Sequence, residues 1–301
     1  MSKYGKVIWM DGNFVKPEDA VVNVMSHVIH YGSGLFEGIM AYNTPDGVSI
    51  FRLDEHIDRL FYSAKMYYYK IPYTKAEIKQ AIIDTVKTNG FKGCYIRPSI
   101  FMGEGWNAID ITDEVKVHVT ISSWELNNFL KKDVELCISS IRRFSAQMVP
   151  MQAKAASNYM NSYLIRNEAH DRGYSDGIAL DSNGYISETS SANIFMVRDN
   201  VVYTPSLACS VLNGLTRKSV ITLLNDMGTE VNEVFITRDE IHQASEIFIC
   251  GTASEIKAVK SIDGIQIGDG NYPLVEMLIK EYNSITRGNS EKYKGWLTNV
   301  K

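Results

Sequence analysis

Short runs of β-branched and aromatic residues, each ended by a turn signal, alternate with groups of amphipathic helices along this chain. Between positions 6 and 51 the runs are broken at Asp11-Gly12-Asn13 and at Pro45-Asp46-Gly47, which is typical of strands joined by hairpin turns. Because strands and helices are grouped rather than strictly alternating, the pattern favours an α/β chain built from α+β lobes over one doubly wound sheet.

Helical periodicity and end signals predict five helices. Thr74 with Glu77 has the form of a capping box, and Asn89-Gly90 is a typical C-terminal stop. The helices are predicted at 54–69, with Asp54 as N-cap, and at 74–88, 158–171, 217–227 and 272–286. The later strands are predicted at 93–101, 114–123, 134–141, 178–181, 185–187, 193–197, 201–203, 246–250 and 258–261, with a type I′ turn at Asn183-Gly184.

A length of 301 residues predicts two domains at roughly 150 residues each. The polar, unpatterned stretch from Glu125 to Asp133 marks the boundary. We therefore expect a small N-terminal α/β domain at 1–125, a linker at 126–132 and a larger C-terminal α/β domain at 133–301.

Composition excludes several classes of function. The 31 basic residues do not outnumber the 35 acidic ones, and no basic run carries interleaved aromatics, so a nucleic-acid partner is not expected. The four cysteines lie far apart, which predicts neither disulfides nor a zinc site and fits the reducing cytoplasm. The sequence shows no secretory signal pattern and no apolar stretch of about 20 residues, so a cytoplasmic protein without membrane spans is predicted.

Two separated residues are candidates for chemistry. Lys154 lies in the small-residue segment Gln152-Ala153-Lys154-Ala155-Ala156, where a bulky group can approach the backbone. Desolvation there favours the neutral amine that Schiff-base chemistry needs, although a solvated surface lysine is the plain alternative. Glu188, at the end of the predicted strand 185–187, is a candidate anion, and a turn glutamate is its plain alternative.

Three features suit a phosphate. Gly214-Leu215-Thr216 precedes the predicted helix at 217, where backbone N–H groups, a hydroxyl and the helix dipole converge. Gly251-Thr252-Ala253-Ser254 follows a strand and forms a second candidate anion turn. Arg59, on the first predicted helix, can bind a phosphate in two-pronged fashion.

The order and spacing of these pieces resemble the class IV aminotransferases, which use pyridoxal 5'-phosphate. The resemblance runs from Glu188 through Asn193-Ile194-Phe195 and Leu212-Asn213-Gly214-Leu215 to Arg217. In the N-terminal half, Phe36-Glu37-Gly38 and Tyr95-Ile96-Arg97-Pro98 are similar to the branched-chain L-amino-acid members.

The resemblance implies a fold of type IV, two domains with the active site between them, and a homodimer or an assembly of dimers. It implies that Lys154 is the catalytic Schiff-base lysine and that Glu188 partners the pyridine nitrogen and Tyr159 the phenolic oxygen. The implied phosphate ligands are Arg59, Leu215, Thr216 and Thr252. The implied substrate residues are Tyr31, Phe36, Gly38, Tyr95, Arg97, Trp124, Thr252 and Ala253, with no metal. The implied reaction moves the amino group of L-leucine, L-isoleucine or L-valine to 2-oxoglutarate, which gives branched-chain 2-oxo acids and L-glutamate.

Two positions depart from the family. Met40 stands where arginine is usual, and Phe129 replaces the linker tyrosine without its hydroxyl. Met40 removes a cation near the substrate entrance and leaves the acceptor preference open, and the departures together favour activity towards unusual amines or a broader range of substrates.

Three alternatives remain open at this stage. One is another class IV chemistry, namely D-amino-acid or (R)-amine transamination or aminodeoxychorismate lyase activity. A second is a non-enzymatic module that binds a phosphate ligand. The third is a metal hydrolase using His27 and His30 with Asp54 or His56, although these lack a recognised ligand spacing.

Overall fold

The computed structural model describes residues 4–106, 109–110, 114–125 and 133–301. These residues form two compact units. The first unit contains the described residues up to 125 together with 153–157 and 284–301, and the second contains 133–152 and 158–283. The predicted linker at 126–132, with Phe129, lies outside the described residues.

The first unit is built on an eight-stranded sheet with the order β17-β5-β4-β6-β7-β1-β2 and with β3 paired to β6. Its strands are β1 (Ile8–Met10), β2 (Asn13–Val15), β3 (Gly34–Phe36), β4 (Ile39–Thr44), β5 (Gly47–Phe51), β6 (Cys94–Met102), β7 (Val117–Trp124) and β17 (Leu297–Asn299). Its helices are α1 (His27–Tyr31), α2 (Leu53–Met66) and α3 (Lys75–Asn89). Short 3-10 helices lie at Pro17–Asp19 and Glu291–Trp296.

The core of this unit follows from two periodicities. Buried and half-buried side chains alternate along most of β6, as expected of a strand with one face on a core. Leu53, Ile57, Leu60 and Ala64 line one face of α2 at helical spacing and join the same apolar cluster.

The second unit is built on a nine-stranded sheet with the order β10-β9-β8-β15-β14-β11-β12-β13 and with β16 paired to β15. Its strands are β8 (Asp133–Ile138), β9 (Asp176–Leu180), β10 (Ile186–Thr189), β11 (Asn193–Arg198), β12 (Val201–Pro205), β13 (Val231–Val234), β14 (Glu246–Gly251), β15 (Glu255–Ile262) and β16 (Ile265–Gln266). Its helices are α4 (Asn158–Asp171), α5 (Leu215–Asp226) and α6 (Pro273–Thr286), of which the residues from 284 group with the first unit. Short 3-10 helices lie at Leu207–Cys209 and Glu240–Gln243.

This second sheet is mixed. Strand β8 pairs in parallel with both β9 and β15, whereas β14 pairs antiparallel with β11 and β15. Helix α4 is the crossover that parallel strands β8 and β9 require. Strands β9, β10 and β11 are almost wholly buried, which explains why β9 and β11 contain the apolar runs 178–180 and 194–197 rather than alternating patterns.

Most predicted elements are confirmed, and the end signals of α3 are confirmed in detail. Thr74 and Glu77 form the capping box, and Gly90 ends the helix in the left-handed conformation with φ 72°. Helix α2 begins one residue earlier than predicted. Its N-cap is Arg52, with φ 51°, rather than Asp54.

Three local predictions were wrong or incomplete. At Asn183-Gly184 only the glycine has positive φ, so the hairpin forms without a type I′ turn, which needs both. Leu215 and Thr216 form the first turn of α5 rather than preceding it. Glu188 lies inside β10 rather than at its end. The short elements α1, β3, β13, β16 and β17 carry too few residues for a clear period and were not predicted.

Among the described residues, no helix has the length and apolar character needed to cross a bilayer.

Candidate active site

Lys154 is held by the first unit through both sides of its main chain. Its N–H donates to Oγ of Ser63 on α2 at 3.0 Å, and its carbonyl accepts from the N–H of Phe36 at 3.1 Å. Its Nζ lies 4.9 Å from the centre of the Phe36 ring, a cation–π distance for a charged amine. The segment 153–157, predicted to belong to the C-terminal domain, groups instead with the first unit, because Ala155 forms a β-bridge with Leu35.

A fully buried carboxylate, that of Glu37, binds two side chains of α2. Nε and Nη2 of Arg59 donate to its two oxygens at 2.6 and 2.8 Å. Nδ1 of His56 lies 2.8 Å from Oε2. Burial alone would raise the pKa of Glu37, but the Arg59 guanidinium and His56 hold that pKa far below its usual range.

His56 responds to burial in the opposite sense. Burial lowers its pKa below 6.5, and nearby Arg59 and Lys154 add to this effect, which outweighs the contact with Glu37. The ring is therefore neutral near pH 7 and donates to Glu37 from Nδ1. Arg59, which the sequence assigned to phosphate, is paired with Glu37 here, and its phosphate role stays a prediction.

Arg97 lies inside a cage of aromatic rings. Its guanidinium carbon is 4.5 Å from the ring centre of Phe36, 5.3 Å from that of Tyr95 and 5.8 Å from that of Trp124. Its Nη2 donates to the Tyr95 hydroxyl at 3.1 Å, while its Nε is buried without a hydrogen-bond partner among the described residues. No carboxylate from the described part of the chain pairs with Arg97, so this cation suits an acidic ligand.

A cavity of about 330 Å³ adjoins Phe36 and Arg97. Most of its other lining is apolar, including Val28, Ile29, Leu35 and Ile100. An apolar cavity with one cation accommodates a molecule with an aliphatic body and a carboxylate.

Gly38 makes room for Tyr95. A Cβ at position 38 would lie 2.0 Å from the Tyr95 hydroxyl, so a side chain there would displace that ring. Tyr31 is 43 % exposed and contacts His27 and Trp106. Met40 is buried in β4 opposite Tyr95, in the place where arginine was expected.

In the second unit, Glu188 is buried in β10 and held by partners from separate segments. Nη2 of Arg143 donates to its Oε1 at 2.5 Å, and Nδ2 of Asn193 donates to its Oε2 at 2.9 Å. The N–H of Leu212 adds a longer contact to Oε2, at 3.3 Å. The carboxylate therefore has a permanent positive partner and a fixed orientation.

The start of α5 forms a candidate anion site in the same unit. Gly214 is its N-cap without a side-chain cap, and Leu215 and Thr216 are buried in its first turn. Gln152 fixes the preceding loop by donating to the carbonyl of Val211 and accepting from the N–H of Asn213. The positive end of the helix dipole and the Thr216 hydroxyl suit a phosphate dianion.

The remaining predicted residues of the second unit lie at element ends. Tyr159 is half-buried in the first turn of α4, and Thr252 and Ala253 lie half-buried in the turn between β14 and β15. Their predicted contacts with phosphate, phenolic oxygen and carboxylate involve ligands and stay predictions.

Sequence reasoning missed several residues of these clusters. Glu37 had no predicted role of its own, although a carboxylate inside an apolar run is a usable signal. His56 was considered only as a metal ligand. Arg143 and Ser63 carried no signal, because neither lies in a motif and their partners are distant in sequence.

Within the ranges that the structure describes, no group of three or more His, Cys, Asp or Glu side chains is arranged to hold a metal ion. His27 instead contacts Ser33 and the carbonyl of Ile109.

Comparisons with known proteins agree with this arrangement. The amino-transferase class IV profile matches residues 34–262. The branched-chain-amino-acid aminotransferase of Pseudomonas aeruginosa is 39% identical over 302 residues, which cover 98% of this chain and 97% of that protein.

Solved structures give the same result. The Escherichia coli branched-chain amino acid aminotransferase has a TM-score of 0.96 at 37% identity, covering 99% of this chain and 100% of that one. The branched-chain amino acid aminotransferase of Thermobaculum terrenum in its PLP form has a TM-score of 0.93 at 30% identity, with both chains covered fully. The profile match and the identity over nearly the whole length lead to one conclusion: the chain belongs to the class IV aminotransferase family.

Proposed function

We propose that this enzyme transfers the amino group of L-leucine, L-isoleucine or L-valine to 2-oxoglutarate with pyridoxal 5'-phosphate as cofactor. The observation that carries the choice of substrates is Arg97, which lies among Phe36, Tyr95 and Trp124 without a carboxylate partner from the described residues. One pocket can then take a branched aliphatic side chain against the rings. The same pocket can take the second carboxylate of glutamate on the guanidinium.

The residues present fit the cofactor. Pyridoxal phosphate, when bound, supplies an aldehyde that takes up the amino group and a ring that accepts electrons. A phosphate dianion suits the uncapped start of α5, where Leu215 and Thr216 lie, together with Thr252 and Arg59. The buried Glu188 carboxylate suits a protonated ring nitrogen, and Tyr159 suits the phenolic oxygen.

Lys154 is the proposed catalytic residue. Its main chain is fixed at both N–H and carbonyl, so only the side chain needs to move when the amine is released from the cofactor. The freed amine would then act as general base at the substrate Cα and as general acid at the aldehyde carbon of the cofactor. The amides at Thr252 and Ala253, with Tyr95, hold the substrate α-carboxylate, while Tyr31, Phe36, Gly38 and Trp124 shape the side-chain pocket.

We also propose that the enzyme works in the cytoplasm as a homodimer. All four cysteines are buried as free thiols, which fits a reducing compartment. Val21, Val24 and Ile29 are 60 to 73 % exposed along one segment of the first unit, and an apolar surface of this kind is typical of a subunit interface. Light scattering coupled to gel filtration tests this, and a monomer at micromolar concentration would contradict it.

The decisive experiment is a substrate panel with the purified holoenzyme. We expect transfer from leucine, isoleucine and valine to 2-oxoglutarate, and little from D-alanine or (R)-1-phenylethylamine. Faster transfer from the last two would assign another class IV chemistry. Borohydride reduction should fix the cofactor on Lys154, and a protein that takes up no pyridoxal phosphate would contradict the proposal outright.

The role of Arg97 in binding the second carboxylate can be tested separately from the catalytic step. Arg97→Gln should raise KM for 2-oxoglutarate and glutamate by about 10- to 100-fold, the range for losing a charge-assisted hydrogen bond of 1.5–3 kcal/mol. KM for leucine should change far less, because leucine has no second carboxylate. An equal rise for both substrates would show that Arg97 only supports the shape of the pocket.

A further inference from the structure

A second buried charge lies directly behind Glu188. Arg143, in the loop after β8, is 7 % exposed, and Glu188 is 4 % exposed. Besides its contact with Glu188, Arg143 donates from Nη1 to Oγ of Ser162 on α4 at 2.8 Å. Its Nε is buried without a hydrogen-bond partner among the described residues. The guanidinium is thus held in place by α4 and directed at the carboxylate.

A gain in overall stability does not explain why Arg143 and Glu188 are buried as a pair. Removing two charges from water costs free energy that their attraction often fails to recover, and apolar side chains of similar volume are commonly as stable. The unmatched Nε adds to this cost. A buried pair at the carboxylate assigned to the cofactor therefore points to a role in the charge of that carboxylate.

The charge of Glu188 matters because a carboxylate and a pyridine nitrogen in contact share one proton. In a poorly solvated contact the proton can lie on the nitrogen, giving two charged groups, or on the carboxylate, giving two neutral ones. A fixed cation behind the carboxylate stabilises the anion and so favours the proton on the nitrogen. The protonated ring is the stronger electron acceptor.

We propose that Arg143 is a positioning residue for the transamination, which holds Glu188 as a fixed anion and thereby keeps the proton on the ring nitrogen of the cofactor. This inference rests on the proposed function. It assigns a role to a residue that touches neither substrate nor cofactor and that acts only through Glu188.

The test measures the proton directly. Holoenzyme is prepared with pyridoxal phosphate labelled with ¹⁵N in the ring, and the nitrogen resonance is recorded for wild type, Arg143→Met and Arg143→Lys. In Arg143→Met we expect the resonance to move towards that of unprotonated pyridine. We also expect turnover to fall by about 10- to 100-fold, the effect typical of losing an outer partner that orients a contacting group. Arg143→Lys, which keeps a charge, should lie closer to wild type on both measures.

Arg172→Met is the matched control. It removes another arginine–carboxylate pair of the same unit, that with Asp263 at 3.1 Å, whose side chains are 42 % and 20 % exposed, and a hydrogen bond to the carbonyl of Ile138. Its resonance and turnover should equal those of wild type.

A wild-type resonance in folded Arg143→Met, or identical behaviour of the Met and Lys variants, would overturn the inference. Should Arg143→Met not fold, Ser162→Ala removes the anchor of Nη1, and a wild-type resonance in that variant overturns it equally. Failure of the wild type to bind the labelled cofactor would instead overturn the proposed function, so the two failures are distinguishable.

Discussion

The two units each bury a carboxylate against an arginine, but they build the pair differently. Glu37 of the first unit binds His56 and Arg59, which lie one turn apart on α2. Glu188 of the second unit is bound from a loop by Arg143, from β11 by Asn193 and from the main chain at Leu212. One helix suffices for the first arrangement, whereas the second needs three separate segments to be in place.

The two arrangements indicate different roles for Glu37 and Glu188. Glu37 ties α2 to the turn between β3 and β4, and α2 in turn holds Lys154 through Ser63. Replacing Glu37 should therefore mainly lower the stability of the fold. Glu188 is oriented by an amide and a main-chain N–H as well as by a cation, which suits a group that meets a ligand, so its loss should act mainly on the chemistry.

The largest expected effect on activity comes from Lys154 rather than from either carboxylate. Lys154→Ala should lower transamination at least about 1,000-fold, because it removes both the attachment point and the proton carrier. Lys75→Ala, which loses an exposed pair with Asp58 and a contact with the Phe61 ring, is the control and should keep full activity. Initial rates with leucine and 2-oxoglutarate measure the effect. An active Lys154→Ala enzyme would remove the reason to connect Glu188 with a cofactor.

Exchanging the two carboxylates for amides tests the contrast itself. Glu188→Gln should lower kcat about 100- to 1,000-fold, the range for removing one preorganised electrostatic contact. Glu37→Gln should lower the free energy of unfolding by about 3–5 kcal/mol, because it leaves a buried arginine without its counter-charge. Turnover at saturating cofactor and urea unfolding measure the two effects. The contrast fails if Glu37→Gln is as stable as wild type.

Two glycines, one near each site, allow the contrast between the two units to be tested by adding a methyl group. A Cβ at Gly38 would lie 2.0 Å from the Tyr95 hydroxyl, and one at Gly214 would lie 2.2 Å from Oδ1 of Asn193. Gly38→Ala should raise KM about tenfold, and Gly214→Ala should lower kcat about tenfold by moving a partner of Glu188, since small displacements near a site cost this much or more. Gly295→Ala, with open space around the new methyl, should change neither. Steady-state kinetics in which both variants change the same constant would contradict the assignment.

The smallest expected effect is a pH dependence confined to the first unit. His56 has a lowered pKa in the folded protein, so the unfolded chain binds its proton first, and stability is lost as the pH falls below 6.5. Glu37 also has a lowered pKa, so it removes further stability as the pH falls below 4.5. The slope from one such group is at most about 1.4 kcal/mol per pH unit.

His56→Gln should abolish the upper part of this dependence, whereas His170→Gln, an exposed residue of the second unit, should leave it unchanged. Urea unfolding at a series of pH values provides the measurement. An unaltered slope in His56→Gln would mean that the pKa of this histidine is the same in the folded and in the unfolded chain.

The sequence predicted elements best where the signals were local. The capping box of α3 and the apolar face of α2 act within one helix, and both were found as predicted. Strand β17 was missed because three residues carry no period and its partner β5 lies far back in the chain. The grouping of 153–157 with the first unit had no local signal either, because it depends on a bridge to β3.

By itself, the sequence determined the family and the identity of Lys154, Glu188 and Arg97 as candidates. These follow from residue types at fixed spacing and from periodicities that act over a few residues. Only the tertiary structure decided that Arg143 faces Glu188, that Glu37 binds Arg59 and that three rings enclose Arg97. The physical reason is that a buried charge requires a partner but does not specify which distant residue supplies it, and that choice is made when the strands and helices pack.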